Sequence, residues 1–308
     1  MSTYHIPVML KEVLKFLDVK EGRWYVDCNL GGGGHTQAIL EAGGNVLGID
    51  LDPDAIAEVS DRYQQNRQKH DGRDIFVSKN LLAVQDNFSE IDKIVEITQQ
   101  AISPQIKISG VLFDLGVSTH QLEEAERGFS FNKDAPLDMR MDPTKGASAK
   151  DLVNGLYENE LAELFLKLGE ENWSKPIAKK IVEYRQKKQI ESTNELANLI
   201  LSVRKRSPSD RTHPATRIFQ ALRIAVNDEL NSLKEALPKA FDVLEPGGRI
   251  VTISFHSLED RIVKNYFKEL EEKNLAKIIT DKPMETSTEE SLENPRSRSA
   301  KLRVIEKN

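Results

Sequence analysis

Apolar residues fall into two rhythms along this chain. In its first part, short runs with few polar interruptions are bounded by glycine, proline, asparagine or aspartate: WYVDCNL (24–30), NVLGIDLD (45–52), DIFVS (74–78) and KISGVLFDLG (107–116). Runs of that length between turn residues predict buried strands. Between them the apolar positions space out at helical intervals, in HTQAILEAG (35–43), after Pro53, and from about Leu82 to Gln100. Gly43-Gly44 suits the end of the first of these helices and Pro53 the first turn of the second. Strands alternating with helices predict an α/β fold built on a doubly wound, mostly parallel sheet.

The alternation stops after residue 118. AKDLVNGLYENELAELFLKLG (149–169), NWSKPIAKKIVEYRQKK (172–188) and STNELANLILSVRKR (192–206) keep helical periodicity, and Ser192 to Glu195 has the form of a capping box. An inserted all-helical domain is therefore expected over 119–213, between a first part of the sheet domain at 1–118 and a second at 214–308. In the second part, PATRIFQALRIAVNDELNSLKEALPKAFDVL (214–244) predicts one long helix bent near Pro238. EPGGRIVTISF (245–255) predicts a turn and a fifth strand, and SLEDRIVKNYFKELEEK (257–273) a helix. AKIIT and KLRVIEK are short strand candidates, and the polar stretch 281–300 between them is expected to be irregular.

Composition narrows the class. No apolar run approaches the roughly 20 residues that cross a bilayer, so no membrane partner is expected. The opening MSTYHIPVMLKEVLKFL lacks the basic head and apolar centre of a signal peptide. The single cysteine, Cys28, rules out an intrachain disulfide, and a cytoplasmic location is expected. One cysteine and six scattered histidines also speak against a structural metal site. The net charge of −6 does not advertise nucleic-acid binding, yet Lys175 to Arg217 holds eleven Lys and Arg against four Asp and Glu. Such a segment is either a phosphate-binding face or a set of solvated helix faces.

The glycine run LGGGGH (30–35) opens the first helix and so marks a cofactor loop. It breaks the G-x-G-x-x-G spacing of dinucleotide binders, because Thr36 or Gln37 falls where a small residue is required. A P-loop would need Gly-Lys-Ser/Thr, and no lysine occurs between Glu21 and Arg62. S-adenosylmethionine asks less of the loop, since it has no pyrophosphate and needs only close backbone approach. A carboxylate at the end of the second strand, here Asp50, would then take the ribose hydroxyls. Asp52 suits the cap of the helix at Pro53 better than Asp50 does. The Gly-Gly turn leading into the fifth strand is a third sign, common in class I methyltransferases.

Three further blocks, DLGVSTHQLEEAERGFSFNKDAPLDMRMD (114–142), HPATRIFQALRIAVNDEL (213–230) and SFHSLEDRIVK (254–264), make the chain resemble the bacterial 16S ribosomal RNA cytosine-N4 methyltransferases, the MraW family, nearly end to end. The resemblance implies a class I S-adenosylmethionine-dependent fold interrupted by a helical domain. It implies a substrate too, the N4 amino group of a cytidine in the decoding centre of the small ribosomal subunit, near the P-site. Cofactor contacts carried over from the family fall on Gly33, Gly34, His35, Asp50, Leu81, Asp114 and Gln121. Leu81 departs from the pattern, since relatives often carry phenylalanine there.

Methyl transfer to an aromatic amine demands alignment and an acceptor for the amine protons. Asp114 heads the segment that replaces the [DNS]-P-P-[YFW] motif of DNA amino-methyltransferases, and is the leading catalytic candidate. His256, after the fifth strand, is a weaker one. Phe129 and Phe131 are candidates for stacking on a flipped base, and Arg140 for a phosphate clamp. Arg204, Lys205 and Arg206 are candidates for RNA phosphates. A DNA or protein amino-methyltransferase, an NAD-dependent oxidoreductase and a non-catalytic RNA-binding protein are the competing readings.

Overall fold

The computed structural model describes residues 7–101, 106–210 and 212–308. Residues 1–6, the head of the segment read for a leader, and Arg211 of the basic run lie outside them. The chain forms two compact units, Met1–Ser118 with Leu230–Asn308, and Thr119–Glu229.

The first unit begins with α1 (Leu10–Leu17), β1 (Trp24–Asp27), α2 (Gly34–Glu41), β2 (Asn45–Asp50) and α3 (Pro53–Arg62). It continues with β3 (Asn66–His70), β4 (Arg73–Val77), β5 (Leu81–Gln85), α4 (Ile91–Ala101) and β6 (Ile108–Asp114). The second unit holds α5 (Thr119–Glu123), α6 (Ala149–Gly155), α7 (Glu158–Gly169), α8 (Ser174–Arg185), α9 (Thr193–Val203) and α10 (Thr216–Asn227). The first resumes with α11 (Glu229–Val243), β7 (Leu244–Ser254), α12 (Ser257–Glu272), β8 (Ala276–Ile278), β9 (Met284–Glu285), α13 (Thr288–Glu293) and β10 (Lys301–Lys307).

The sheet runs β3-β4-β5-β2-β1-β6-β7-β10-β8, with β9 pairing with β10. The five central strands β5 to β7 are parallel, and the strands outside them are antiparallel. Apolar side chains alternate between two buried faces, as strands covered on both sides require. Val26, Leu47, Val84, Val111 and Phe113 join Ile91, Leu237, Phe241 and Phe267 on one face. Tyr25, Val46, Leu81, Leu112 and Val251 join Leu17, Ile39 and Val59 on the other. EPGG forms a local excursion at the start of β7, where the register against β6 jumps from Ile108↔Leu244 to Gly110↔Arg249. Gly247 turns it with φ 78°, in the left-handed region.

Several expectations shift. DIFVS is a strand, but β4 runs antiparallel between β3 and β5. The third parallel strand is LLAVQ (81–85), which helical spacing had included in the following helix. A four-residue apolar run reads alike as buried strand or buried helix, and β3, NRQKH, has no apolar face to announce it. The long helix of 214–244 is two helices, broken where Asp228 adopts φ 50°. The stretch 281–300 is ordered into β9, α13 and a short 3-10 turn at 295–299, with Ser287 capping α13.

α10 belongs to the helical unit, so that unit ends at 229 and the boundary expected at 213 moves. It packs against α7 so closely that a Cβ on Gly169 would lie 2.6 Å from the Arg217 carbonyl oxygen. Two capping arrangements start helices here. Ser148 and Asp151 bond reciprocally at α6. Ser192 Oγ accepts from Glu195 N at 3.3 Å, while the Glu195 carboxylate accepts from Glu191 N rather than closing back on Ser192.

Candidate active site

The loop after β1 is held by backbone bonds, Leu30 N donating to Ile49 O at 3.0 Å and Gly33 N to Leu30 O at 2.7 Å. Gly33, with φ 73°, caps α2 in a conformation side chains rarely adopt, and a Cβ there would press Val59 at 3.1 Å. Gly34 lies against Pro7, its Cβ position 3.2 Å from the proline ring. At Gly31, φ 48°, a Cβ would make ordinary contact with Ser118 Cβ at 3.8 Å and Asn29 O at 3.9 Å, so it is the left-handed backbone that calls for glycine there.

Asp50 closes β2 beside that glycine. Its Oδ2 accepts from Gly31 N at 2.7 Å and its Oδ1 from Asp52 N at 2.9 Å. Burial pushes its pKa up to about 7 against those two bonds, with the charges of Asp52 and Asp27 adding to the rise. Asp52 instead caps α3, accepting from Asp54 N at 3.1 Å.

Registers place Asp114 opposite. Asp27 of β1 is level with Gly48 of β2 and with Leu112 of β6. Asp50 and Asp114 therefore both lie two residues beyond the Asp27 rung, on the strands either side, about 10 Å or two strand spacings apart. Open α/β sheets bind ligands at this carboxyl edge. Behind it, Asp27 accepts from Thr36 Oγ1 at 2.8 Å, and burial raises its pKa to about 6 although His35 opposes the rise. His35 Nε2 lies 3.4 Å from Asp114 Oδ2. Burial disfavours the imidazolium, but Asp114 and Asp27 outweigh it and the histidine pKa is raised. Among the described residues, Asp114 Oδ1, Asn29 Oδ1, Ser254 Oγ and both His35 ring nitrogens are buried without hydrogen-bond partners. Buried polar atoms are normally paired, so this cluster has the character of a site shaped for a polar ligand. A nucleoside carrying a charged amino-acid arm fits such a donor and acceptor set.

Leu81 does not join them. It pairs with Val46 at the amino end of β5 and is fully buried in the core, the whole strand away from the edge that Asp50 occupies. The apolar group after the carboxyl end of this strand is Phe88, half-buried and edge-on to Phe113 at 5.6 Å. The sequence signal for it was the aromatic after Asn87, whose side chain caps the turn by accepting from Ser89 N at 2.9 Å. His256 is the N-cap of α12, with Nδ1 facing Glu259 N at 3.5 Å and Nε2 3.2 Å from Glu259 Oε1. Nδ1 thus serves as a helix cap, while Nε2 is buried and, among the described residues, without a hydrogen-bond partner.

In the helical unit Gln121 is buried on α5. Phe129 is buried in the core near Arg127, whereas Phe131 is half-buried and packs on His213 and Phe219. Gly128, φ 72°, lets this stretch pass the 136–138 backbone, where a Cβ would collide with the Pro136 carbonyl oxygen. Arg140 is not a free clamp: its guanidinium grips Asp138 in a two-bond fork at 2.9 and 2.7 Å. Arg204 is committed as well, to buried Glu171 at 3.4 Å and to Asp210 at 3.0 Å. Lys205 and Arg206 are exposed. The sequence reading missed His213, whose signal was its place ahead of a proline and an amphipathic helix.

The sequence profile of the MraW methylase family matches residues 2–308. A ribosomal RNA small subunit methyltransferase H of Heliobacterium mobile is 44% identical over 326 aligned residues, covering 100% of both chains. Proteins of the same name from Carboxydothermus hydrogenoformans and a Sulfurihydrogenibium species are 43% and 45% identical, covering 100% and 97% of this chain and 99% and 98% of theirs. With a parallel sheet interrupted by a helical unit and its polar cluster at the carboxyl edge, the chain belongs to the MraW methylase family and has the class I methyltransferase fold.

Proposed function

We propose that this protein methylates the exocyclic N4 amino group of a cytidine in the decoding centre of small-subunit ribosomal RNA, using S-adenosylmethionine. The observation that carries the reading is Asp114: a strand-end carboxylate with one oxygen against His35 and the other buried and, among the described residues, unpaired. Its relatives' names supply the RNA.

The cofactor, when bound, supplies a sulfonium methyl group for in-line displacement. Asp50, already fixed by two backbone N–H groups, has acceptor capacity left for ribose hydroxyls. Phe88 offers an apolar face for the adenine. Asp114 Oδ1 accepts a hydrogen bond from the incoming N4 amine, which draws electron density onto nitrogen and orients it. The amine sheds a proton once it gains the methyl group, and the Asp114–His35 pair stands ready to hold it. Lys205 and Arg206 attract the RNA phosphates.

The direct test is a map of N4-methylated cytidines in ribosomal RNA from cells with and without the gene. A modified cytidine in the decoding centre that disappears with the gene supports the reading; an unchanged map overturns it.

A further inference from the structure

His213 is half-buried, stacked on Phe131 with ring centroids 4.7 Å apart and planes 33° from parallel. Phe131 is in turn held edge-on by Phe219 at 4.8 Å and 73°. The ring is therefore fixed from behind. Its Nδ1 accepts from Ala215 N at 3.1 Å. A nitrogen that accepts a hydrogen bond carries no hydrogen, so the neutral ring is the Nε2–H tautomer. Burial and the charge of nearby Arg206 both disfavour the imidazolium and lower the pKa. Among the described residues no acceptor takes the Nε2–H.

Arg206 is exposed beside it, and among the described residues no carboxylate pairs with Lys205 or Arg206. The loop that carries them is closed from within. Asp210 accepts from Arg204 Nη2 at 3.0 Å and from Ser207 N at 2.8 Å, which leaves the next two cations facing solvent. A rigid neutral donor next to an unpaired guanidinium suits an oxygen-rich anion better than a cation or an apolar group.

We propose that His213 Nε2–H and Arg206 together hold one phosphodiester group of the RNA, a contact made by the helical unit that nothing in the family match assigns. The inference rests on the RNA reading above and deepens it. The ring's stack on Phe131 sets the direction of the donor, and Arg206 supplies the charge.

Filter binding to small ribosomal subunits from cells lacking the gene tests this, with S-adenosylmethionine binding measured in parallel by calorimetry. His213→Phe keeps a ring on Phe131 but loses the donor, and subunit affinity should fall about tenfold, the scale of a hydrogen bond to a charged group. His213→Gln places an amide N–H near the Nε2 position and should stay within about threefold of wild type. Arg206→Gln should lower the slope of binding against salt by about one counterion, and adding His213→Phe to it should cost less than in the wild type, because the two groups share one phosphate. Cofactor affinity should not move in any variant. Wild-type affinity in His213→Phe, an equal loss in His213→Gln, or fully additive losses in the double variant would each overturn the shared contact. A wild-type protein that does not bind the subunit at all overturns the RNA reading itself, a result distinct from these three.

Discussion

The two units treat charge in opposite ways. In the sheet unit, Asp27, Asp50 and Asp114 gather at one edge, largely out of water, where burial raises the pKa of the first two to about 6 and about 7. Each is tethered by neighbours with defined positions: Gly31 and Asp52 for Asp50, Thr36 for Asp27, His35 for Asp114. In the helical unit Lys205 and Arg206 lie outward, while more sheltered charges are paired, as Glu171 is with Arg204 and Arg223 with Glu229. Under the proposed function, the difference separates two tasks. A small cofactor with a few hydrogen-bonding atoms is read by fixed groups whose strength depends on being sheltered. A polyanion many times larger is first attracted by charges that water leaves free.

The sharpest way to break this contrast is Asp114→Asn, which keeps the size but replaces a charged acceptor with a partial donor. Turnover should fall on the order of a hundredfold or more, as for loss of a positioned acid–base group, with a smaller loss of cofactor affinity. Steady-state kinetics and calorimetry on one preparation separate the two constants. A variant whose turnover recovers at saturating cofactor would make Asp114 a binding group only.

Asp50→Ala should weaken cofactor binding at least about tenfold, from loss of charge-assisted hydrogen bonds of about 1.5–3 kcal/mol. Unchanged affinity in a folded variant would remove Asp50 from the site. A pH series sharpens the same point. The carboxyl of Asp50 titrates near 7, raised from the usual range by burial. Below that pH it is neutral and a poorer acceptor, so cofactor affinity should fall several-fold as pH drops from about 8 to 6. In Asp50→Asn that part of the dependence should vanish. The raised pKa also has a sign for stability: the folded state holds its proton more tightly than the unfolded chain. Asp50 therefore favours the folded state at low pH, and that contribution is lost as pH rises through about 7.

The smallest effects are expected from the helical unit, and there they should split. Lys205→Gln with Arg206→Gln should leave the melting temperature unchanged and flatten the salt dependence of subunit binding by about two released counterions. Arg204→Gln should do the reverse, because it leaves the buried Glu171 carboxylate without its cation. A stability loss of about 1–2 kcal/mol by thermal melting is expected, with little change in the salt slope. If the double variant and Arg204→Gln behave alike, the division between pairing and attracting cations fails.

Much of the sheet was legible because β1, β2, β6 and β7 are apolar runs closed by turn residues, a pattern that burial on both faces imposes. The hairpin of β3 and β4 was not, since β3 lies exposed and carries polar side chains that packing does not constrain. One misplacement then carried another. With DIFVS taken as the third parallel strand, Leu81 seemed to follow it, whereas the strand that matters ends at Gln85 and is followed by Phe88. The glycine loop and Asp50 were legible as candidates from their positions at strand ends, and Asp114 from the motif at the end of its strand together with the family resemblance. Arg140 and Arg204 illustrate a limit of charge counting: composition registers a cation, but its partner, Asp138 or Glu171, is decided by the fold. The break at Asp228 carried no glycine or proline to mark it, and its left-handed backbone is a tolerance of aspartate rather than a requirement.

The interruption of the sheet between β6 and β7 also bears on the order in which the protein assembles. β6 ends at Asp114 and its parallel partner β7 begins at Leu244, so the central pairing must wait until everything between them has been synthesised. The helical unit is one contiguous stretch, Thr119–Glu229, so its internal contacts can form before β7 is synthesised. Within it α7 packs on α8 and α10, and α8 on α9, all of them made before the sheet has its fifth parallel strand. Until then the β6 edge and the apolar face awaiting Leu237 and Phe241 stay uncovered, the kind of surface that draws nascent chains into wrong pairings. The inserted helical unit thus imposes a delay on the sheet, and the chain's vulnerability during synthesis is concentrated in the interval between the two strands.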